Sequence, residues 1–439
     1  MNTKYFFEAA KQNGIEVCEL NYKLSKSIEI NVYQDELENY KIANDTKLSA
    51  RGIFNGKIGS FKSDRTDKQV IPYIIEGIKN SAANGLDGNP DFFIEKGQKY
   101  HRVNTFSKTL AETSPKDLIS LAKRLSCEIR KRESRITICE VSAEMAEELQ
   151  EFSNSRGIAL KSRSNYVILS CSVNIAQGEE IESAFKVKIF SDLSDLDENA
   201  FVDSIVRTAT AKLGSHSIPS GKYDVLFDKN VVPYLLKPLL QQLSAFSVKE
   251  HLSLFEGKLE EQVLSKKLTI LENPHSKTPF AYSFDDEGMP SQKKMLFNRG
   301  VLKTYLYDLE TAQNANTQST GNGTLKGGNI RPDLGFVEVK AGRKTFEETL
   351  ADLKKAVYIT DIQGIHTGLN TSSGDYSLQA EGFLVENGKI THPISLITVA
   401  GNLLTDFAKV SQVANDVELS IQGFLSPSLV IKKLAISGN

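Results

Sequence analysis

Tryptophan is absent, and only four cysteines, Cys18, Cys127, Cys139 and Cys171, are scattered over 439 residues. None stand close enough to form a CxxC pair, so the short ligand spacing of a structural zinc knuckle is missing. Such sparse thiols argue against a secreted disulfide scaffold and for a reducing, cytoplasmic setting. Charge of one sign is lacking too. Lys plus Arg number 53 against 55 Asp plus Glu, a formal net charge of −2. Gripping a nucleic-acid backbone takes a basic excess, because each phosphate contact is a cation contact. Direct nucleic-acid binding is therefore not expected. Long apolar runs are also missing. The N-terminus carries charges through its first dozen residues instead of a signal-peptide core, and the longest mostly apolar run, about 393–405, is too short to span a bilayer. No membrane contact is expected.

What is present fits a globular protein: 40% apolar and 25% charged residues, close to the soluble average. The length suggests two or three domains and a core that needs neither disulfide nor metal. Helical spacing marks residues 3–13 and 67–83, while period-two alternation marks strands near 15–23, 26–34, 37–43 and 48–61. Asn55-Gly56 between apolar residues is a hairpin signal, since a type I′ turn needs positive φ at both central residues. Residues 84–114 read as a polar linker or surface excursion. A helix over 115–132 opens with Ser114-Pro115, and another lies near 197–213. Residues 143–151 have helix propensity between strand-like runs, and both states stay open there. The clearest break is Ser217-Ile218-Pro219-Ser220-Gly221. Beyond it come a short strand, an apolar helix over 230–248 and mostly hairpins. Strands without a regular βαβ rhythm give the class α+β, divided as 1–90, 110–216 and 222–439.

Several C-terminal segments are distinctive. They are Asn370-Thr371-Ser372-Ser373-Gly374-Asp375-Tyr376-Ser377, Glu381-Gly382-Phe383, Ile397-Thr398-Val399-Ala400-Gly401-Asn402-Leu403, Phe284-Asp285-Asp286-Glu287-Gly288 and Ser319-Thr320-Gly321-Asn322-Gly323. In this order they resemble the TldD/PmbA family. The resemblance implies an intracellular, zinc-dependent peptidase of two related subunits, one with an HExxxH helix and a C-terminal Cys, the other, the TldE/PmbA branch, without them. Aligned on its paired leucines, the helix here places Lys237 and Gln242 where the two His would stand, and Pro238 where the Glu would stand.

Chemistry judges that substitution. A catalytic zinc takes three protein ligands, a water and a nearby carboxylate base. A protonated Lys has no lone pair, Pro has no basic side chain, and Gln is a poor ligand. No cysteine follows Cys171, and the six histidines form no HxxxH or HExxH pair. No catalytic or metal-ligating residue is therefore assigned to this chain; zinc is expected in a partner subunit.

The candidates for peptide contact are Asp285, Glu287, Asn322, Asp375, Ser377, Gly401 and Asn402. Each has a plainer reading. Asp285 to Gly288 reads as a solvated turn, and Ser319 to Gly328 as a mobile loop beside a cleft. Asp375 and Ser377 read as turn caps. Gly401-Asn402 reads as the start of a helix over 403–414, where free N–H groups could hold a carboxylate or glycine could serve tight packing. The leading expectation is a metal-lacking subunit of a TldD/TldE-like peptidase acting on unfolded peptides, partnered by a zinc-bearing TldD-like chain or by itself. The alternative is a homodimeric interaction protein of the gyrase-modulator type. An independent serine hydrolase ranks last, because the SxxK spacings occur without the SDN and KTG elements.

Overall fold

The computed structural model describes residues 3–438. Helix α1 (Thr3–Gln12) leads into strands β1 (Ile15–Tyr33), β2 (Glu36–Phe54) and β3 (Lys57–Ser63), paired antiparallel. Asn55 at φ +50° and Gly56 at φ +72° form the turn between β2 and β3. The pieces read separately at 15–23 and 26–34 are one strand. Ser25 and Lys26 keep the alternation and pair with Asp45 and Asn44. Helix α2 (Ile71–Ala82) lays Ile74 and Ile78 on Leu20 and Leu48, and α1 adds Phe6 and Ala10 to the same cluster.

After the short helix α3 (Lys108–Glu112), helix α4 (Pro115–Arg132) starts at a capping box between Ser114 and Asp117, with proline in its first turn. Strands β4 (Ile136–Asn154), β5 (Ala159–Gln177) and β6 (Glu180–Phe190) follow, then helix α5 (Glu198–Lys212). All six strands form one sheet, in the order β3-β2-β1-β4-β5-β6. Residues from 1–90 and from 110–216 thus build a common sheet through the β1–β4 pairing. Residues 143–151 are strand. Between β1 and β5 their backbone finds ladder partners on both sides, and that context overrides helix propensity. α4 and α5 cover one face, where Leu118, Leu125, Ile129 and Phe201 meet Val141, Leu169 and Val173. The 84–114 segment is more than a surface excursion. Phe92 and Phe93 pack with Val17 and Ile53, and Ile94 packs with Phe152 and Phe284.

The C-terminal half starts with β7 (Gly221–Phe227), α6 (Val232–Gln241) and α7 (Ala245–Lys249). The expected single helix over 230–248 breaks at 242–244. It runs on through Pro238 for one turn, because Leu235, Leu236, Leu239 and Leu240 are fully buried and their packing offsets the lost hydrogen bond. Next come β8 (Ile270–Glu272), β9 (Lys294–Asn298), β10 (Val301–Leu302), α8 (Leu309–Asn314), β11 (Gly323–Lys326), β12 (Asn329–Pro332), β13 (Val337–Val339), α9 (Phe346–Ala351), β14 (Lys355–Gln363) and α10 (Ile365–Gly368). The chain ends with β15 (Asp375–Glu386), β16 (Lys389–Asn402), α11 (Leu403–Phe407), β17 (Val410–Val413), β18 (Glu418–Ser420), β19 (Phe424–Ser426) and β20 (Leu429–Ser437).

Strands run β16-β15-β14-β7-β20-β17, and an extra β16–β20 pairing closes a barrel. A second sheet runs β10-β9-β8-β13-β19-β18. The α6 leucines share one core with both, among them Phe227, Ile359, Phe297 and Val337. The helix expected over 403–414 stops at Phe407, since Val410 to Val413 pair with β20 instead. Mixed helices and antiparallel-rich sheets make the chain α+β.

Candidate functional site

On α6, Lys237 is half-buried and donates to the carbonyl of Gln422 (3.2 Å) and to its Oε1 (3.3 Å). Burial pulls its ammonium below the usual lysine range, opposed by Asp333. Gln242 lies just past the last turn. Its buried Oε1 has no hydrogen-bond partner. An ammonium, a pyrrolidine ring and an amide do not fit a zinc ion. Histidines meet only in stacked pairs, His101 on His275 (4.0 Å) and His216 on His392 (4.4 Å). Among the described residues, no three or more His, Cys, Asp or Glu are placed to hold a metal ion.

The turn at 285–288 is buried, not solvated, because it lies beneath the N-terminal sheet. Asp285 Oδ1 accepts from the N–H of Glu287 and of Met289 (2.9 Å each), and Oδ2 accepts from Gly323 N–H (2.8 Å). Burial still pushes its carboxyl up to about 7 against those three donors. Asp286 reaches across to Lys23 (2.7 Å), Gln150 (2.9 Å) and Asn21 (3.2 Å) on the sheet. Glu287 is fully buried. It accepts from Arg51 Nη2 at 3.2 Å and from Leu309 N–H at 2.8 Å. Burial raises its carboxyl well above the usual range, with Arg51 opposing. Arg51 Nε also bonds Glu19 (2.8 Å), whose other oxygen, Oε2, is buried without a partner. Gly323 is required beside Glu287: a Cβ there would lie 2.6 Å from Glu287 Oε2.

Asn322 belongs to the same network and is not on a mobile loop. Its Nδ2 donates to both oxygens of Glu272 (2.9 and 3.0 Å) and to Asp333 O (2.9 Å), while its Oδ1 accepts from Lys294 Nζ (2.8 Å). Lys294 completes the group with an ion pair to Glu272 at 2.8 Å. Both ends of that pair are buried, so losing either would strand a charge.

A second group forms at the β15–β16 end. Asn402 Nδ2 donates to Asp375 Oδ1 (2.9 Å) and Ser373 O (2.8 Å), and its Oδ1 accepts from Thr405 N–H (3.2 Å). The Asn402 hydrogen bond holds the exposed Asp375 carboxyl below its usual range. At this helix start three N–H groups that could have held a carboxylate are taken: Gly374 O accepts Leu403 N–H at 2.8 Å, Asn402 Oδ1 accepts Thr405 N–H, and Asp406 Oδ2 accepts Asn402 N–H at 2.9 Å together with Tyr376 OH at 3.0 Å. A Cβ on Gly401 would sit 2.0 Å from that oxygen. Ser377 occupies an exposed position of β15 opposite Ala400.

The seven candidates thus fall into two separate sets, one in loops around Glu287 and one at the β15–β16 end around Asn402. Arg51, Glu19, Glu272 and Lys294 were not singled out from sequence. Arg51 sits in an ordinary strand alternation, and nothing local signals its distant partners. Between the N-terminal sheet and residues 279–282 and 421 lies an open cleft of about 670 Å³.

Comparison with known proteins gives this architecture its class. Residues 220–438 match the PmbA/TldA metallopeptidase C-terminal domain, and residues 108–213 match the central domain of the same family. The chain belongs to the PmbA/TldD family. It is 25% identical to the metalloprotease PmbA of Escherichia coli O157:H7, over all of this chain and 95% of that protein. A crystal structure from Thermotoga maritima, of a protein named for proposed modulation of a DNA gyrase, superposes with TM-score 0.92 at 28% identity, covering 99% of both chains. TldE from Thermococcus kodakarensis shares the fold at TM-score 0.89 and 19% identity, covering 99% of this chain and all of that one. No helix is long and apolar enough to cross a membrane among the described residues.

Proposed function

We propose that this chain is the metal-lacking subunit of a two-subunit cytoplasmic metallopeptidase of the TldD/TldE type, acting on unfolded peptides with zinc supplied by the partner. One observation carries the reading: Lys237 and Pro238 on α6 and Gln242 just after it supply neither the ligands nor the general base of zinc hydrolysis. Lys237 instead uses its charge to hold the turn at Gln422. Asp375 and Ser377 stay exposed and Asn402 half-exposed as peptide-contact candidates. Glu287 and its neighbour Asp286 dock one half of the molecule on the other, while Asp285 and Asn322 brace the C-terminal half internally.

The test is metal content and peptide cleavage for the chain alone, for an HExxxH-bearing relative alone, and for the mixture. Substoichiometric zinc, no cleavage alone and faster cleavage in the mixture are expected. Cleavage by the chain alone with stoichiometric zinc overturns the reading. The resemblance to the Thermotoga maritima protein favours a second reading, a homodimeric regulator without peptidase activity. A dimer that persists unchanged when the metal-bearing relative is added would select it.

A further inference from the structure

The six-stranded sheet has two unlike faces. α4 and α5 seal one of them. On the other, β5 presents Ser162, Ser164, Tyr166 and Ile168, all half-exposed, because successive side chains of a strand alternate. Register places Gln150 beside Ser162, Glu148 beside Ser164, and Ile168 beside Ile189. Pro279 to Tyr282 and Ile421 roof this floor and enclose the cleft of about 670 Å³. That volume falls among ligand sites of roughly 300–1,000 Å³.

We propose that the cleft binds an extended peptide segment, seating one bulky apolar side chain between Ile168 and Ile189 below and Phe280 and Ile421 above. This rests on the auxiliary role proposed above and assigns that role its peptide-binding surface. Three features select such a ligand. First, the cleft has little net field. Lys23 is paired with Asp286 and Lys47 with Asp45, each at 2.7 Å, so nothing there concentrates a phosphate or polyanion. Second, the central floor strands β1, β4 and β5 are paired on both sides and cannot add another strand. Peptide amides over them must be met by side chains, and Ser162 and Ser164 both donate and accept without regard to peptide sequence. Third, one corner is apolar. Lys188 of β6 binds Glu418 of β18 at 3.1 Å, which brings Ile189 toward Ile421. A Cβ on Gly423 would lie 3.8 Å from the Phe280 ring, so this turn and Phe280 form one wall. Four strand spacings from β2 to β6 make the floor about 19 Å wide, room for roughly six extended residues. The roof turn is clamped by Lys237, so the cleft lies directly against the α6 position that aligns with the metal motif.

The experiment measures fluorescence anisotropy of two dye-labelled, unstructured octapeptides, identical except for a central Phe or Ser, with the full chain. The Phe peptide is expected to bind about tenfold or more tightly, the range for gaining an apolar side chain in a fitted pocket. Ile168→Ser removes the floor of the pocket, and Ser164→Trp fills the cleft from a half-exposed position without emptying the core. Each variant is expected to lose that preference while melting like the parent; if one fails to fold, the other decides. Equal binding of both peptides, no saturable binding, or folded variants that keep the preference overturn the proposal. The cleavage assay separates the two levels. If this chain stimulates a metal-bearing relative while the cleft variants keep parental peptide binding, the cleft assignment falls and the auxiliary role stands. If stimulation is absent but the Phe preference and its loss in the variants hold, the auxiliary role falls and the cleft stands.

Discussion

Two acidic groups drawn from the same kind of sequence, Asp285-Asp286-Glu287-Gly288 and Gly374-Asp375, have opposite physical lives. The first is buried between the halves of the molecule, with its oxygens bonded to backbone N–H groups and to Arg51, Lys23 and Gln150. The second is exposed and makes only local contacts, with Asn402 and Ser373. Composition does not separate them; what covers them does. A carboxylate under a sheet must be matched donor by donor, because an unpaired buried charge costs several kcal/mol. An exposed one keeps water as a partner and remains open to a ligand.

The contrast breaks first at Glu287. Glu287→Ala removes one of the two carboxylates that hold the buried Arg51, leaving it on Glu19, and leaves Leu309 N–H without its acceptor, so a loss of about 2–4 kcal/mol is expected in denaturant unfolding. A loss below about 1 kcal/mol would mean that the turn does not anchor the two halves. Gly401→Ala comes next. Its Cβ must displace the Asp406 carboxylate, at an expected cost of about 1–3 kcal/mol in the same assay, with a larger loss for Gly401→Val.

Acidity sharpens the comparison further. The Asp285 carboxyl is pushed up to about 7 by burial, above its unfolded value near about 3.9. The native state therefore binds more protons between those values. The contribution is full below the unfolded value and is lost as pH rises through the folded one. Urea midpoints measured from about pH 4 to about pH 7 should show this decline, and Asp285→Asn should flatten it. Asp375 has the reverse sign: its lowered value gives stability that disappears as pH falls. The smallest effect is Asp375→Ala, expected to leave the unfolding midpoint unresolved from the parent, since Asn402 keeps the Ser373 carbonyl.

Local signals were legible where local chemistry decides. The Asn55-Gly56 turn, the Ser114-Pro115 helix start and the apolar stripe of Leu235, Leu236, Leu239 and Leu240 all needed only neighbours in sequence. Residues 143–151 did not yield, because their state is set by flanking strands more than a hundred residues away on one side. The break at 242–244 and the stop at Phe407 were equally hidden, each fixed by what packs or pairs beyond it. The α6 substitutions were readable since donor chemistry belongs to the residue itself. The burial of Glu287 was not, because its cover comes from Arg51, 236 positions away.

The placement of β7 has a consequence for synthesis. The sheet β1 to β6 is complete once Phe190 has been made, so it can assemble while the ribosome is still at work. β7 lies between β14 and β20, and its second neighbour is made roughly 200 residues later, on the order of 10–40 s at ordinary elongation rates. During that interval one apolar strand has open edges, and nascent chains arrested there should be the ones that chaperones hold.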